Sequence, residues 1–180
     1  METRKLLIFI FCALFCLSGT TAQTYYYKTT KTFNENGYTY QCDVSVRGKF
    51  TVLYNKSNKY TYTDMTYKNG TRIGDNDIPL LEVDTWTKTK SYSIVNESFT
   101  SAEKQRLKAL GFTVTMYIDS TTGKVIEVDF RFGNIHGAGT IPIYVYRRIE
   151  LDLKNQIWFT PTAEGKKMNY LMRAWVHEVK

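Results

Sequence analysis

The stretch from Gly111 to Val179 restricts the fold more than any other part of the chain, because its segments follow one another in a defined order. Two alternating segments, Phe112–Asp119 and Lys124–Phe132, flank a Ser-Thr-Thr-Gly turn, which is typical of a β-hairpin. A basic and apolar segment, Ile141–Gln156, follows, and Met168–Val179 provides a final strand-like run. A hairpin, a helix and a returning strand predict a compact α+β unit.

The segment Ile141–Leu153 is compatible with two periodicities. Most of its apolar residues alternate with a period of two, as in a strand, but four of them also lie four positions apart, as on one face of a helix. The helical stripe consists of Ile141, Val145, Ile149 and Leu153. Thr140 as an N-cap and Pro142 in the first turn favour the helix over the strand.

The N-terminal part of the chain predicts an antiparallel β-meander, because short runs of strand-forming residues alternate with polar turns. The predicted strands are Tyr38–Val46, Lys49–Tyr54 and Lys59–Tyr67, with further candidates at Leu80–Trp86 and Tyr92–Val95. The pair Asn69-Gly70 tolerates positive φ and predicts a tight hairpin turn. The polar residues Gln23–Asn36 are interpreted as a frayed lead-in or an edge strand.

A short helix is predicted to begin after Thr100. The sequence Thr100-Ser-Ala-Glu103 is a capping box, in which the threonine hydroxyl accepts from a free amide and the glutamate reaches back to the first one. Leu107 and Leu110 then lie on one helical face, and Gly111 is the expected end of the helix.

Residues 1–22 have the features of a secretory signal peptide. Arg4 and Lys5 precede an apolar run of about a dozen residues, shorter than the roughly 20 that a transmembrane helix needs. Thr20 and Ala22 are placed for cleavage after Ala22. We therefore expect an exported protein, periplasmic or at the cell surface or secreted, with no retained transmembrane segment.

The mature chain has the length of one ordinary domain. We interpret residues 23–99 as a β-rich N-terminal region and residues 100–180 as an α+β region, the two together forming one compact domain. Cys42 is the one cysteine that remains after cleavage, so an intramolecular disulfide is excluded. Its strand-like surroundings predict a small buried apolar residue.

The formal net charge of the chain is +7, yet its basic residues are scattered and nowhere form a stripe. The longest clusters are pairs such as Arg147-Arg148 and Lys166-Lys167. A nucleic-acid partner is therefore not expected.

The residues Val114–Val179 resemble the C-terminal domain of TonB-like proteins. The resemblance rests on the hairpin, on Trp158-Phe-Thr-Pro-Thr162, on the Glu164-Gly-Lys166 turn and on the closing strand. It implies a three-stranded sheet packed on helices. In the energy-transducing members of the TonB-like family, the final strand is exposed and pairs with a short peptide from an outer-membrane transporter.

Carried over to this chain, the resemblance implies that the last strand is a partner-binding edge. The candidate partner-binding residues are Asn169, Tyr170, Leu171, Met172, Arg173, Ala174, Trp175 and Val176. The alternative is that the N-terminal meander covers this strand. Because the chain has neither a retained anchor nor a long Pro-rich spacer, it resembles a stand-alone exported protein rather than an energy transducer.

Residues suited to catalysis or metal binding are few. His136 and His177 have no histidine or glutamate at helical ligand spacing, so we expect no metal site, no catalytic residues and no cofactor. The glycine-rich loop Gly133–Gly139 lacks the Lys-Ser/Thr ending of a phosphate loop. That loop, with Asn134 and His136, remains an alternative ligand site.

The 14 tyrosines suggest a second function, because exposed aromatic faces can stack on sugars. Tyr60 and Tyr62, on one face of a predicted strand, are the candidate glycan-binding or small-ligand-binding residues. The leading hypothesis is an exported, non-enzymatic bacterial envelope protein that binds an envelope or outer-membrane protein through a sheet edge. The alternative is a glycan or small-ligand binding module that uses the tyrosine-rich surface.

Overall fold

The computed structural model describes residues 24–74, 78–108, 111–133 and 137–180. Within these residues the chain forms one six-stranded antiparallel sheet and three α-helices, which confirms the predicted α+β class. The strands are β1 (Lys31–Glu35), β2 (Tyr38–Val44), β3 (Phe50–Asn55), β4 (Phe112–Ile118), β5 (Val125–Gly133) and β6 (Leu171–His177). The helices are α1 (Trp86–Glu97), α2 (Ser101–Leu107) and α3 (Ile143–Gln156).

The N-terminal meander and the C-terminal strands share a single sheet with the order β1-β2-β3-β5-β4-β6. The junction is the antiparallel pair β3–β5, in which Leu53 lies opposite Phe130. The meander therefore extends the sheet on the β5 side, whereas β6 pairs with β4 at the other end. Strands β1–β3 of the meander therefore do not pair with β6.

The helices cover one face of the sheet, where the apolar residues of β5 meet α3. The ring of Tyr146 packs on Phe130 and Phe132 with centroid distances of 4.9 and 5.8 Å. The opposite face of β5 carries Glu127, Asp129 and Arg131, since successive side chains of a strand alternate between faces. The sheet thus has an apolar helix-covered face and a polar face.

Helix α3 confirms the helical interpretation of the basic and apolar segment. The residues of its predicted stripe are all fully buried. The helix begins at Ile143 with Pro142 in the N-cap position, two residues later than predicted, because Gly137–Thr140 form a separate 3-10 turn. The four-residue spacing places these apolar residues on one side of the helix, where they pack against the sheet instead of pairing within it.

The capping box of α2 is confirmed. The Thr100 hydroxyl accepts from the Glu103 amide, and the Glu103 carboxylate accepts from the Thr100 amide at 2.8 Å. Leu107 is buried and ends the helix, which stops before Gly111. Leu110, the predicted partner of Leu107, lies outside the described residues.

The prediction of a strand at Lys59–Tyr67 is wrong. The amides of Lys59 and Tyr60 donate to the two carboxylate oxygens of Glu127 at 2.8 and 2.9 Å, so this segment lies across the polar face of the sheet. The tyrosines of this segment lie on that face, and the segment does not extend the sheet as a further strand. The predicted turn at Asn69-Gly70 is present between the bridged residues Thr66 and Arg72.

The strand candidates at Leu80–Trp86 and Tyr92–Val95 are also wrong. Leu81 makes a single bridge to Pro161, and Tyr92–Val95 lies inside α1. The buried residues of α1 are Thr87, Ser91, Ile94 and Val95, a helical spacing. Burial of this stripe outweighs the low helix propensity of its Thr, Ser and β-branched residues.

The predicted signal peptide, residues 1–22, lies outside the described residues. In the part of the chain that the structure describes, no helix has the length and apolar character needed to cross a membrane.

Candidate functional site

Strand β6 forms one edge of the sheet. It pairs with β4 along its whole length, from Leu171 opposite Ile118 to His177 opposite Phe112. Among the described residues, no backbone hydrogen bond joins β6 to any other element. The side of β6 that faces away from β4 is therefore open to a further strand.

The carbonyl of Val176 shows which backbone groups of β6 point outward. It accepts a 2.6 Å hydrogen bond from the hydroxyl of Tyr92 on α1, so it points away from β4. Backbone groups along an antiparallel strand point alternately to its two sides. Met172 and Ala174 therefore also direct their N–H and C=O groups away from β4, whereas Arg173 directs its own toward β4.

The strand is buried at its ends and exposed in its middle. Leu171 and His177 are buried in the core, whereas Met172 is 45% exposed and Val176 is 57% exposed. Ala174, between them on the polar face of the sheet, is exposed as well. The open edge thus combines free backbone groups with a short apolar strip.

Three surface cavities border β6 from one end to the other. The first, of about 370 Å³, lies between residues 78–81 and Leu171–Arg173. The second, of about 200 Å³, is lined by residues 81–84, Arg173 and Trp175, and the third, of about 520 Å³, by Tyr92, Val176 and Lys180 among others. An added strand would have room for side chains along its full length.

Two of the candidate edge residues precede β6 and have a different role. The side-chain oxygen of Asn169 accepts from the Thr66 amide at 3.0 Å, and the Tyr170 hydroxyl donates to the Thr63 carbonyl. These contacts hold residues 63–66 against the sheet. The structure places the other six candidates, Leu171 to Val176, on β6 itself.

The candidate glycan-binding tyrosines lie on the polar face of the sheet but not on a common strand. The Tyr60 ring packs against Tyr170 with centroids 4.4 Å apart and stacks on Tyr117, so little of its face is free. Tyr62 is 64% exposed, and its hydroxyl donates to Asp43 at 2.9 Å. Desolvation and the Asp43 carboxylate raise the pKa of Tyr62, so its hydroxyl stays protonated.

The other candidate ligand site, at Asn134 and His136, lies outside the described residues.

A pair of exposed indole rings was not predicted from the sequence. Trp86 and Trp158 lie with ring centroids 4.7 Å apart and are 37% and 57% exposed. The signal was the alternation around Trp158, because Ile157 and Phe159 are both buried and the residue between them must point outward.

His177 and Ser91 form a buried polar pair. The Ser91 hydroxyl oxygen lies 3.4 Å from Nε2 of His177, and Nδ1 of His177 has no hydrogen-bond partner among the described residues. Burial lowers the pKa of His177 to about 4, so the imidazole is neutral at neutral pH. The rings of Phe112 and Tyr92 flank the imidazole, with centroids 6.1 and 4.4 Å from it. The pair joins β6 to α1, and in the part of the chain that the structure describes it has no carboxylate partner.

Cys42 is confirmed as a small buried residue on β2. Burial raises the pKa of its thiol to about 11, so the thiol is protonated at neutral pH. Within the described ranges, no group of three or more His, Cys, Asp or Glu side chains is arranged to hold a metal ion.

The comparisons with known proteins identify the family. Residues 23–175 match the model of a domain of unknown function, DUF5043. The fold is similar to the crystal structure of a DUF5043 family protein from Bacteroides uniformis ATCC 8492, with a TM-score of 0.80 and 40% sequence identity over 87% of this chain and 95% of that chain. No curated protein matches the chain. The chain therefore belongs to the DUF5043 family.

This result corrects the resemblance to the C-terminal domain of TonB-like proteins. The family match spans residues 23–175, so it takes in the N-terminal meander together with residues 114–175, most of the stretch that carried the resemblance. Their hairpin belongs to the six-stranded sheet that β1–β3 complete. The order of hairpin, helix and strand is common to many α+β proteins and does not identify a family.

Proposed function

We propose that this member of the DUF5043 family is an exported bacterial envelope protein that binds an extended segment of another protein along the open edge of β6. The observation that carries the proposal is the outward direction of the Met172 and Ala174 backbone groups, which have no backbone partner among the described residues. Such groups provide affinity in strand addition, while alternate side chains provide specificity.

The middle of β6 has few of the features that protect edge strands from pairing. Edges are commonly blocked by proline, lysine, a bulge or a covering loop. From Leu171 to His177, β6 has neither proline nor lysine, Arg173 is its single permanently charged residue, and its register with β4 is continuous at every residue. The apolar side chains of Met172 and Val176 favour a partner that removes them from water.

Export is a proposal that rests on residues 1–22. Their basic start, apolar run and small residues before position 23 are those of a cleaved signal. Expression of the full chain in its native host, followed by fractionation and N-terminal sequencing, tests this proposal. A mature N-terminus at Gln23 in the envelope or medium is expected, and an uncleaved protein in the cytoplasm would contradict it.

The edge is tested with two substitutions at one residue. Ala174→Pro removes an amide that points outward, so the β4–β6 ladder keeps its hydrogen bonds. Ala174→Val keeps the amide and serves as the matched control. Proline at Leu171 or Arg173 is unsuitable, because those amides point toward β4.

Mature wild-type protein and both variants are immobilised and used to capture proteins from the native cell envelope, with identification by mass spectrometry. We expect one protein to be retained by the wild type and by Ala174→Val and lost with Ala174→Pro. Retention by a folded Ala174→Pro variant would show that the partner binds elsewhere. A wild type that captures nothing would remove the main support for protein binding.

Glycan or small-ligand binding is the second candidate function. The observation that favours it is aromatic exposure, at Tyr62 on the polar face and at the Trp86–Trp158 pair. A glycan array probed with wild type, Tyr62→Ala and Trp158→Ala tests it. Binding that is lost with one of these variants and kept with Ala174→Pro would favour this function over strand addition.

A further inference from the structure

We infer that, when no other partner is bound, the open edge of β6 pairs with the same edge of a second copy of this chain. The two β6 strands run antiparallel about a twofold axis at Ala174, and the two six-stranded sheets join into one. This inference rests on the proposed function, because it uses the same open edge, and it names one occupant of that edge.

The directions of the backbone groups restrict the register of such a pair. The residues of β6 that direct their N–H and C=O groups away from β4 are Met172, Ala174 and Val176. Only these residues can face each other as hydrogen-bonded pairs across a twofold axis. The axis positions that give a substantial overlap of the two strands are therefore Arg173, Ala174 and Trp175.

Two of these three axis positions are unfavourable. An axis at Arg173 sets two guanidinium groups directly opposite each other, and like charges in that arrangement destabilise a strand pair. An axis at Trp175 makes Val176 a member of every hydrogen-bonded pair within β6, although the Tyr92 hydroxyl occupies the Val176 carbonyl. With the axis at Ala174, the central pair joins Ala174 to itself and keeps both of its hydrogen bonds.

The side chains of β6 complement each other when the axis lies at Ala174. On the polar face, Met172 lies opposite Val176 of the second copy, so two side chains that are 45% and 57% exposed cover each other. On the helix-covered face, Arg173 lies opposite Trp175 of the second copy, in a pair without backbone hydrogen bonds, where side chains approach most closely. A guanidinium beside an indole is a favourable cation–π pair.

The charges beside the edge do not oppose this approach. Arg173 and Lys88 line the second cavity together with Glu82 and Asp84, so positive and negative charges balance there. Two copies that meet along β6 therefore bring no excess charge together at this cavity.

The predicted dimer is weak, because a single pair of strands forms a small interface. We expect a dissociation constant of about 10–100 μM. Such a dimer keeps the edge closed at high concentration, and it yields to a partner that binds the same backbone groups more tightly.

Sedimentation velocity of the mature protein tests self-pairing over concentrations from about 1 to 300 μM. Ala174→Pro removes an outward amide from the central pair, and Ala174→Val keeps the amide as the matched control. We expect the wild type and Ala174→Val to pass from monomer to dimer over this range. Ala174→Pro should remain a monomer.

Cysteine cross-linking tests the register and needs no proline in the strand. At the axis, the Cα atoms of Ala174 in the two copies lie about 5.5 Å apart, within the range of a disulfide, so Ala174→Cys should cross-link to itself under mild oxidation. The matched control is Met172→Cys, whose two Cα atoms lie about 14 Å apart and should not cross-link. A mixture of Met172→Cys and Val176→Cys should cross-link between the two variants, while the native Cys42 is buried.

The outcomes separate this inference from the proposed function. A wild type that is monomeric at every concentration, a dimer that a folded Ala174→Pro variant retains, or Met172→Cys that cross-links to itself as fast as Ala174→Cys overturns self-pairing. Strand addition is decided by capture from the envelope. A monomeric wild type that captures a different protein, which Ala174→Pro loses, overturns self-pairing and supports the proposed function.

Discussion

The hydroxyl of Tyr92 donates a 2.6 Å hydrogen bond to the carbonyl of Val176, which joins helix α1 to the last exposed residue of the edge strand. The same tyrosine ring lies against His177 with centroids 4.4 Å apart. Tyr92 therefore occupies one of the outward-pointing acceptors of β6 and also covers the buried imidazole. The edge ends at this residue, because the Tyr92 hydroxyl occupies the carbonyl with which a strand paired further along β6 would bond.

Replacement of Tyr92 by phenylalanine should extend the open edge by one acceptor. The Val176 carbonyl would lose its partner and become available to an added strand, so an extended peptide taken from the captured partner protein should bind about fivefold tighter. The free energy of unfolding should fall by about 1 kcal/mol because one hydrogen bond is lost. Fluorescence anisotropy and urea unfolding measure the two effects.

The control for this substitution is Tyr144→Phe. Tyr144 is 54% exposed on α3, and its hydroxyl has no hydrogen-bond partner among the described residues. It should change neither quantity. Equal or weaker peptide binding by Tyr92→Phe would mean that the Val176 carbonyl takes no part in strand addition.

The sequence predicts which side chains of β6 share a face of the sheet, but it does not predict that β6 lies at the edge of the sheet. Alternation from Leu171 to His177 shows which side chains point together, and the strand was predicted from it. Which neighbour a strand pairs with depends on contacts between residues far apart in the chain, such as Leu53 with Phe130. The open edge was expected from a resemblance that proved wrong, and its exposure became visible once the strand order was known.

Local signals with a specific mechanism were more informative than composition. The capping box at Thr100 and the stripe of α3 were recognised because each satisfies a geometric requirement of a helix. Residues Lys59–Tyr67 have strand-forming composition, but the Glu127 carboxylate binds two of their amides and holds them across the sheet. In α1, burial of Ile94 and Val95 stabilises the helix and outweighs the low helix propensity of the segment.

His177 should make the protein less stable as the pH falls below neutrality. Burial lowers its pKa from 6.5 to about 4, so between these values the unfolded chain binds a proton that the folded protein does not. Stability is therefore complete above pH 6.5 and decreases toward pH 4. The full loss corresponds to about 3 kcal/mol.

The measurement is urea unfolding of the wild type and His177→Gln between pH 7.5 and pH 4. Carboxylates titrate in both proteins, so the difference between them isolates the histidine. We expect the stability advantage of the wild type to shrink by about 3 kcal/mol across this range. Parallel stability curves would show that His177 is protonated equally easily in the folded and unfolded states.

Gly123 should not tolerate a side chain. It has a φ of +74° in the turn between β4 and β5, and a Cβ there would lie 1.8 Å from the carbonyl oxygen of Phe159. The Phe159 amide also donates to the Gly123 carbonyl at 2.8 Å, so the two segments cannot move apart without losing this bond. Gly123→Ala should lower the free energy of unfolding by about 3 kcal/mol.

Gly70→Ala is the matched control for strain without a clash. Its φ is +86°, but a Cβ would meet nothing within 4 Å. It should cost about 1 kcal/mol, which is the penalty of positive φ for alanine. Equal losses for the two variants in urea unfolding would show that close approach to Phe159 contributes nothing at Gly123.

Glu150 should be the most sensitive polar residue of the core. It is fully buried on α3, where its carboxylate accepts from the Tyr40 hydroxyl and from Arg147 at 2.9 Å and lies 3.5 Å from the Lys154 ammonium. Glu150→Ala leaves the two cations and the hydroxyl without their common acceptor. Since the cations are 26% and 33% exposed, water compensates in part, and the expected loss is about 2–3 kcal/mol.

Tyr40→Phe is the graded comparison, because it removes one donor and leaves the carboxylate paired with Arg147 and Lys154. It should cost about 1 kcal/mol. In the double variant the loss should be smaller than the sum of the single losses, since the hydroxyl stabilises the fold only through Glu150. Additive losses would mean that Tyr40 and Glu150 stabilise β2 and α3 independently. A larger loss for Tyr40→Phe than for Glu150→Ala would mean that the Tyr40 hydroxyl of β2 stabilises the fold through a contact other than the one with Glu150.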